Sequence, residues 1–148
     1  MILQNGRIYS CHVNFFRYMY EHYGDDYEWF MRADDDVYVK GEKLAEFLRS
    51  INSRQLYFIG QAGKGNRAEK GTLKLAHNEN FCMGGPGIIL SRATIAKIAP
   101  FVKDCLQDMY STHEDVEVGR CVKRFAGISC TWAYEVGYTF ISSSSQVW

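Results

Sequence analysis

The run Asp34-Asp35-Asp36 is the first candidate site in the chain, because it places three consecutive carboxylates between two apolar segments. The aromatic and β-branched residues of segments 29–31 and 37–39 predict a buried strand on each side. Carboxylates at the end of a buried strand repel one another and lose hydration, so we expect a cation beside them. In an extended chain Asp34 and Asp36 point the same way and could bind one divalent cation. A solvated acidic turn is the alternative, and the apolar flanks favour the metal.

Glycines concentrate in segment 81–91, where Gly84, Gly85 and Gly87 surround Pro86. Glycine allows a backbone to approach a ligand that a side chain would obstruct. A structural turn accounts easily for one glycine and less well for three. We therefore predict that this turn contacts a ligand.

Glu114 and Asp115 form a third candidate group, at the start of a predicted helix. The helix dipole stabilises acidic residues in a first turn, so capping is the simplest explanation of either residue alone. A carboxylate that faces a substrate hydroxyl can instead act as a general base. The local pattern leaves both explanations open.

Segment 61–80 is polar and basic, with Lys64, Arg67, Lys70 and Lys74 against two glutamates. A loop of this length in a compact domain is usually functional or mobile. It could be a flap that contacts an anionic substrate, or it could be a solvated loop, and the sequence favours neither.

Strands alternate with helices along the chain, which indicates a layered α/β domain. Apolar residues at helical spacing, with Ser91 as an N-cap and Pro100 as a break, predict helices in segments 11–23, 41–51, 92–99, 101–110 and 114–125. Short apolar runs predict further strands in segments 56–60, 88–90 and 128–132. We do not expect the serine-rich tail, residues 136–148, to pack.

Composition excludes several classes of function. The chain has 148 residues, enough for one domain, and its 17 basic and 17 acidic residues cancel, so no global field attracts nucleic acid. No apolar run approaches the roughly 20 residues of a membrane span, and any anchor would lie outside this chain. Five cysteines without zinc spacing leave one or two disulfides and free buried thiols equally open: Cys11, Cys82, Cys105, Cys121 and Cys130.

Three segments together resemble a known family. They are F-M-R-A-D-D-D-V-Y-V at 30–39, E-N-F-C-M-G-G-P-G-I-I-L-S at 79–91 and H-E-D-V-E-V-G-R-C-V at 113–122. Their order and separation resemble the Fringe-like β-1,3-glycosyltransferases, and within that family the amino-terminal, glucuronosyltransferase-type domain of the chondroitin sulfate synthases. The resemblance covers residues 9–135. We take residues 1–135 as a partial GT-A glycosyltransferase domain and 136–148 as a divergent tail.

The resemblance implies a GT-A type α/β fold and a metal-dependent, inverting transfer from a UDP-sugar. It implies that Asp36, with Asp34, holds Mn²⁺ or another divalent cation. Asp34 and Asp35 would also hold the donor, beside a platform formed by Gly84 and Gly85. Asp115 matches the family's catalytic base, supported by Glu114. The implied donor carries glucuronic acid or N-acetylgalactosamine, and the implied acceptor is a growing glycosaminoglycan chain, which the basic loop would suit.

The chain also departs from the family pattern. Few residues precede Trp29, so we expect a partial GT-A fold that lacks the early nucleotide-binding strands. A galactosyl- or N-acetylglucosaminyltransferase relative is an alternative function, because the motifs do not fix the donor. An inactive partner of an active synthase subunit is another. The family's location implies a Golgi-lumenal domain in a type II membrane protein.

Overall fold

The computed structural model describes residues 7–66, 69, 71–133 and 141–143. Its helices are α1 (Arg7–Tyr23), α2 (Gly41–Arg49), α3 (Arg92–Ile98), α4 (Val102–Gln107) and α5 (Glu114–Ala126), with a 3₁₀ turn at Ala99–Phe101. Its strands are β1 (Trp29–Arg32), β2 (Val37–Val39), β3 (Phe58–Gly60), β4 (Ala62–Gly63), β5 (Phe81–Cys82), β6 (Ile88–Ser91), β7 (Thr131–Trp132) and β8 (Ile141–Ser143). Within the described residues no helix is both long and apolar enough to cross a membrane.

A four-stranded sheet in the order β1-β6-β3-β7 forms the centre of the fold. β6 pairs antiparallel with both β1 and β3, and β7 pairs parallel with β3. Side chains alternate across these strands, so Phe58 and Leu90 pack on the face covered by α1, α3, α4 and α5. Ile59 and Ile89 pack on the opposite face with Leu44 of α2. This arrangement of helices on both faces confirms the α/β layering.

The turn from β6 into α3 shows how local sequence positions the elements. The buried Ser91 side chain accepts a hydrogen bond from the Thr94 N–H at 3.3 Å and one from the Tyr57 N–H at 3.0 Å. It therefore caps the helix, as predicted, and also ties β6 to the start of β3. Pro100 then lies in the 3₁₀ turn between α3 and α4, where the sequence predicted a break.

Two expectations for the edge of the fold need correction. β2 is only partly buried, since Tyr38 is 67% exposed while Val37 and Val39 pack against the core cluster that contains Leu44. Its partner is β8, which pairs with it in an antiparallel two-stranded sheet, so residues 141–143 of the tail do pack. Side chains alternate along a strand, so Tyr38 points away from the core face on which Val37 and Val39 pack, which explains its exposure. The rest of the tail lies outside the described residues.

The structure also decides between disulfides and free thiols for four cysteines. Cys82 is bonded to Cys130, which joins β5 to the segment before β7, and Cys105 is bonded to Cys121, which joins α4 to α5. The side chain of Cys11 lies outside the described part of the chain.

Candidate active site

Arg32 lies at the end of β1 and connects three of the predicted site residues. Its Nη2 lies 2.5 Å from Glu114 Oε1 and 3.0 Å from Asp34 Oδ1, and its Nη1 donates a hydrogen bond to the Gly84 carbonyl at 3.3 Å. The Arg32 side chain is 13% exposed and that of Glu114 20%. Partial burial reduces screening of these ion pairs by water, so they hold β1, the glycine turn and the start of α5 in one position.

Asp115 also links the glycine turn to the start of α5. Its Oδ2 accepts a hydrogen bond from the Gly84 N–H at 3.0 Å, and its Oδ1 accepts one from the Val116 N–H at 2.9 Å. Both oxygens are therefore oriented by backbone donors, and each keeps a lone pair for a further donor. The N-cap of α5 is His113, whose side chain makes no capping bond. Capping alone therefore does not account for Asp115, because its carboxylate also orients the glycine turn.

The glycines of the turn have different structural reasons. A Cβ on Gly84 would lie 2.8 Å from Arg32 Nη1 and 3.2 Å from Glu114 Oε1, so the position is restricted by the ion-pair cluster. Gly87 has φ +102°, a conformation that L-residues rarely adopt, and its N–H donates a hydrogen bond to the Gly84 carbonyl. A Cβ on Gly85 would have open space around it, with no non-neighbouring atom of the described part of the chain within 4 Å. We predicted close approach to a ligand here, and the group that approaches Gly84 is a protein side chain.

The acidic run is a turn rather than extended chain. Asp35 and Asp36 are its central residues, exposed, and the Val37 N–H bonds to the Asp34 carbonyl at 3.4 Å. Asp34 and Asp36 therefore do not share the extended geometry on which the two-ligand prediction depended. Asp34 is instead paired with Arg32, which provides the cation that the acids were expected to need.

The acidic run could supply only some of the ligands that a divalent cation needs. Within the described residues no three His, Cys, Asp or Glu side chains are gathered to hold a metal ion, and Asp35 and Asp36 form no ion pair there. Small hard cations are often bound by one or two carboxylates, with substrate phosphates and water as the other ligands. The exposed carboxylates suit a metal that arrives with a diphosphate, and they do not form a protein cage for one.

A cavity of about 500 Å³ opens beside Asp115. Lys64, Asn66, His113 and Met83 also line it. It is therefore a space in which a polar or anionic ligand would meet the predicted base and one lysine of the basic loop. Of the other basic residues in the loop, Arg67 and Lys70 lie outside the described residues, and Lys74 does not line this cavity.

Thus the structure brings Asp34, Gly84, Glu114 and Asp115 together, although they are far apart in sequence, and leaves Gly85, Asp35 and Asp36 at the exposed margin. Sequence reasoning missed Arg32 as the centre of the cluster. The signal was present, since an arginine two residues before three acids can supply the cation they require.

The comparisons with known proteins agree with the three motifs. Residues 101–147 match the family model described as Chondroitin N-acetylgalactosaminyltransferase. Chondroitin sulfate synthase 3 of Mus musculus is 59% identical over 124 residues, which is 84% of this chain and 14% of the relative, and the Homo sapiens protein gives the same figures. Chondroitin sulfate glucuronyltransferase of Homo sapiens is 30% identical over 118 residues, 77% of this chain and 14% of that relative.

By its motifs and these matches, the chain is related to the glycosyltransferases. Within that class it is similar to the chondroitin sulfate synthases, which confirms the resemblance drawn from the motifs. It spans 14% of the length of these relatives. The family match also includes segment 136–147, while the domain boundary at residue 135 stays a prediction.

Proposed function

We propose that the chain is part of a glycosyltransferase domain that moves a sugar from a UDP-sugar to a growing chondroitin chain. The observation that carries this proposal is the placement of Asp115. Its carboxylate is oriented by two backbone N–H groups, lies next to the Arg32 cluster and lines a 500 Å³ cavity. A fixed carboxylate that faces an open space can meet a substrate hydroxyl there.

In the proposed reaction Asp115 takes the proton from an acceptor hydroxyl held in this cavity. The hydroxyl oxygen then attacks the anomeric carbon of the donor on the face opposite the diphosphate, and the bond to the diphosphate breaks. A single displacement of this kind inverts an α-linked donor to a β-linked product. Glu114 supports the base indirectly, because its ion pair with Arg32 holds the start of α5 against the glycine turn.

The donor side of the proposed site is the acidic turn. Asp36, with Asp35 beside it, is an exposed carboxylate that could hold a divalent cation such as Mn²⁺ together with a donor diphosphate, and Asp34 and Gly84 lie on the side of Arg32. When bound, the cation would neutralise charge on the leaving diphosphate. We infer that Asp34 acts by keeping Arg32 in place rather than as a metal ligand.

The sugar and the cellular setting are inferred from the relatives. UDP-glucuronic acid is the donor we favour, with an acceptor that ends in N-acetylgalactosamine; N-acetylgalactosamine transfer is the second choice within the same synthesis. A Golgi-lumenal setting and a partner synthase subunit are part of the same proposal. Two disulfides suit an oxidising lumen.

The rate of sugar transfer by the Asp115→Asn variant tests whether Asp115 is the general base. Asparagine keeps an oxygen that can accept from the Gly84 N–H but cannot take a proton, so we expect kcat to fall about 10²–10⁴-fold with UDP affinity unchanged. Asp104→Asn, an exposed carboxylate change on α4, is the matched control and should leave kcat unchanged. Unchanged transfer by Asp115→Asn would reject Asp115 as the base.

The donor is tested with a panel of UDP-sugars on chondroitin oligosaccharides. Transfer of galactose or N-acetylglucosamine in preference to both favoured sugars would support the other enzyme alternative. A folded chain that transfers no sugar from any donor would support an inactive partner instead.

A further inference from the structure

A second polar cluster lies outside the proposed catalytic centre, around Tyr110. This side chain is 57% exposed, in the segment that precedes α5. Lys74 Nζ lies 5.3 Å from the centre of its ring and Arg120 Cζ lies 5.1 Å from it. Both distances are within the range of cation–π attraction. An exposed aromatic ring is thus held beside two cations.

Arg120 is fixed by a buried network and supports the cluster. Its Nε bonds to Glu117 Oε2 at 3.3 Å, and the Glu117 side chain is 3% exposed. The Glu117 Oε1 accepts from the Ser111 N–H at 2.9 Å and from the Ser111 hydroxyl at 2.8 Å. Because Glu117 balances its charge, Arg120 contributes position more than free positive charge.

What Arg120 positions is the backbone of Lys74. Its Nη2 donates to the Leu73 carbonyl at 2.7 Å and its Nη1 donates to the Lys74 carbonyl at 3.3 Å. Lys74 has φ +50°, and among the described residues it is the only non-glycine with positive φ. A lysine in this conformation costs free energy, and such strain is found most often at binding and active sites. Within the described part of the chain the Lys74 amine forms no ion pair, so its charge is available to a ligand.

Tyr110 of the cluster borders a second cavity, which shares one lining residue with the proposed catalytic cavity. This second cavity, of about 440 Å³, is lined by Thr72, Tyr110, Ser111 and His113. His113 also lines the cavity that contains Asp115, so the two cavities share this lining residue. Lys74 lines neither cavity, but its amine lies against the Tyr110 ring, which borders the second one.

We propose that Lys74 and Tyr110 form a subsite for an anionic sugar of the acceptor chain, some way from the sugar that reacts at Asp115. This rests on the proposed function, because it assigns the second cavity to the same acceptor. The Lys74 amine pairs with a carboxylate or sulfate, and Tyr110 offers a hydroxyl for hydrogen bonds and an apolar ring for the sugar. Arg120 and Glu117 are positioning residues that hold Lys74 in its strained conformation.

The test is the titration of chondroitin oligosaccharides into the full chain by calorimetry, without nucleotide and without reductant. Lys74→Asn removes the charge and keeps a residue type that tolerates positive φ. Loss of one charge-assisted contact predicts Kd raised about 10-fold or more. Lys43→Asn is the matched control, because it removes the same charge from the exposed side of α2, which covers the opposite face of the sheet. It should leave Kd within about twofold, as expected of an exposed charge remote from the ligand.

Tyr110 is tested by Tyr110→Ala and Tyr110→Phe, with the first expected to weaken binding more because it also loses the ring. Unsulfated and 4-sulfated oligosaccharides of one length distinguish the anion: equal sensitivity to Lys74→Asn assigns the carboxylate, and greater sensitivity with sulfate assigns the sulfate. Equal effects of Lys74→Asn and Lys43→Asn, or no oligosaccharide binding by the folded chain, would overturn the subsite.

Titration of UDP with Mn²⁺ into the same sample separates this proposal from the proposed function. UDP binding without oligosaccharide binding would reject the subsite and would not contradict the proposed transferase function. Oligosaccharide binding that depends on Lys74, without UDP binding, rejects the transferase and retains the subsite as a surface that binds the chain.

Discussion

Replacing Gly84 with alanine tests whether the Arg32 cluster is as tightly packed as the structure implies. The new Cβ would lie 2.8 Å from Arg32 Nη1, 3.2 Å from Glu114 Oε1 and 3.5 Å from Asp115 Cβ. Overpacking of this kind costs about 1–3 kcal/mol. Any glycine-to-alanine change also lowers the entropy of the unfolded chain and regains about 0.4–1 kcal/mol. The expected net loss in free energy of unfolding is therefore about 0–2.6 kcal/mol, nearer the lower end if the guanidinium moves away.

Gly85→Ala is a control within the same turn. Among the described residues, leaving aside its two chain neighbours, no atom lies within 4 Å of its added Cβ, and neither Gly84 nor Gly85 has the left-handed φ that excludes alanine. Both variants gain the same unfolded-state term, so their difference in free energy of unfolding isolates the overpacking of about 1–3 kcal/mol. At this chain length that corresponds to a gap of about 2–12 °C in Tm. Urea and thermal unfolding without reductant measure it, and equal stabilities would refute the packing argument.

Two further predictions concern the links that hold the site. Replacing both Cys82 and Cys130 with alanine opens a loop of 48 residues. The chain-entropy model then predicts that the free energy of unfolding falls by about 4 kcal/mol. Unfolding curves unchanged by the replacement would contradict the assigned pairing. Arg32→Met leaves the partly buried Glu114 without this cation. It should lower the free energy of unfolding by about 1–3 kcal/mol. Adding Glu114→Gln should recover part of that loss in a double-mutant cycle, whereas simple additivity of the two changes would count against the ion pair.

Much of the architecture could be predicted because short-range patterns specify it. Apolar spacing placed α1, α2 and α5, and the serine before segment 92–99 predicted the cap that Ser91 forms. The edge of the fold was harder to predict, because it depends on which strand pairs with β2. That partner lies about a hundred residues further along the chain and has no recognisable strand pattern.

For the candidate site too, the types of residue could be predicted from the sequence, but their long-range contacts could not. Chemistry-bearing residues were identified one by one, and the family resemblance predicted that they belong to one site. The pairing of Arg32 with both Asp34 and Glu114 could not be read from spacing, because it requires α5 to lie against the end of β1. Pairing among five cysteines was likewise open until the contacts of α4 with α5 and of β5 with the segment before β7 were known. The roles of Asp36 and Asp115 stay predictions.

The most direct test of the proposed function is a calorimetric titration of UDP into the folded chain, with and without Mn²⁺. We predict binding that requires Mn²⁺ and is lost in Asp36→Ala, while Asp104→Ala, an equally exposed carboxylate on α4, retains it. Binding in the presence of Mn²⁺ that survives in Asp36→Ala would contradict the donor site at the acidic turn. No UDP binding at all by the folded chain would contradict the transferase itself.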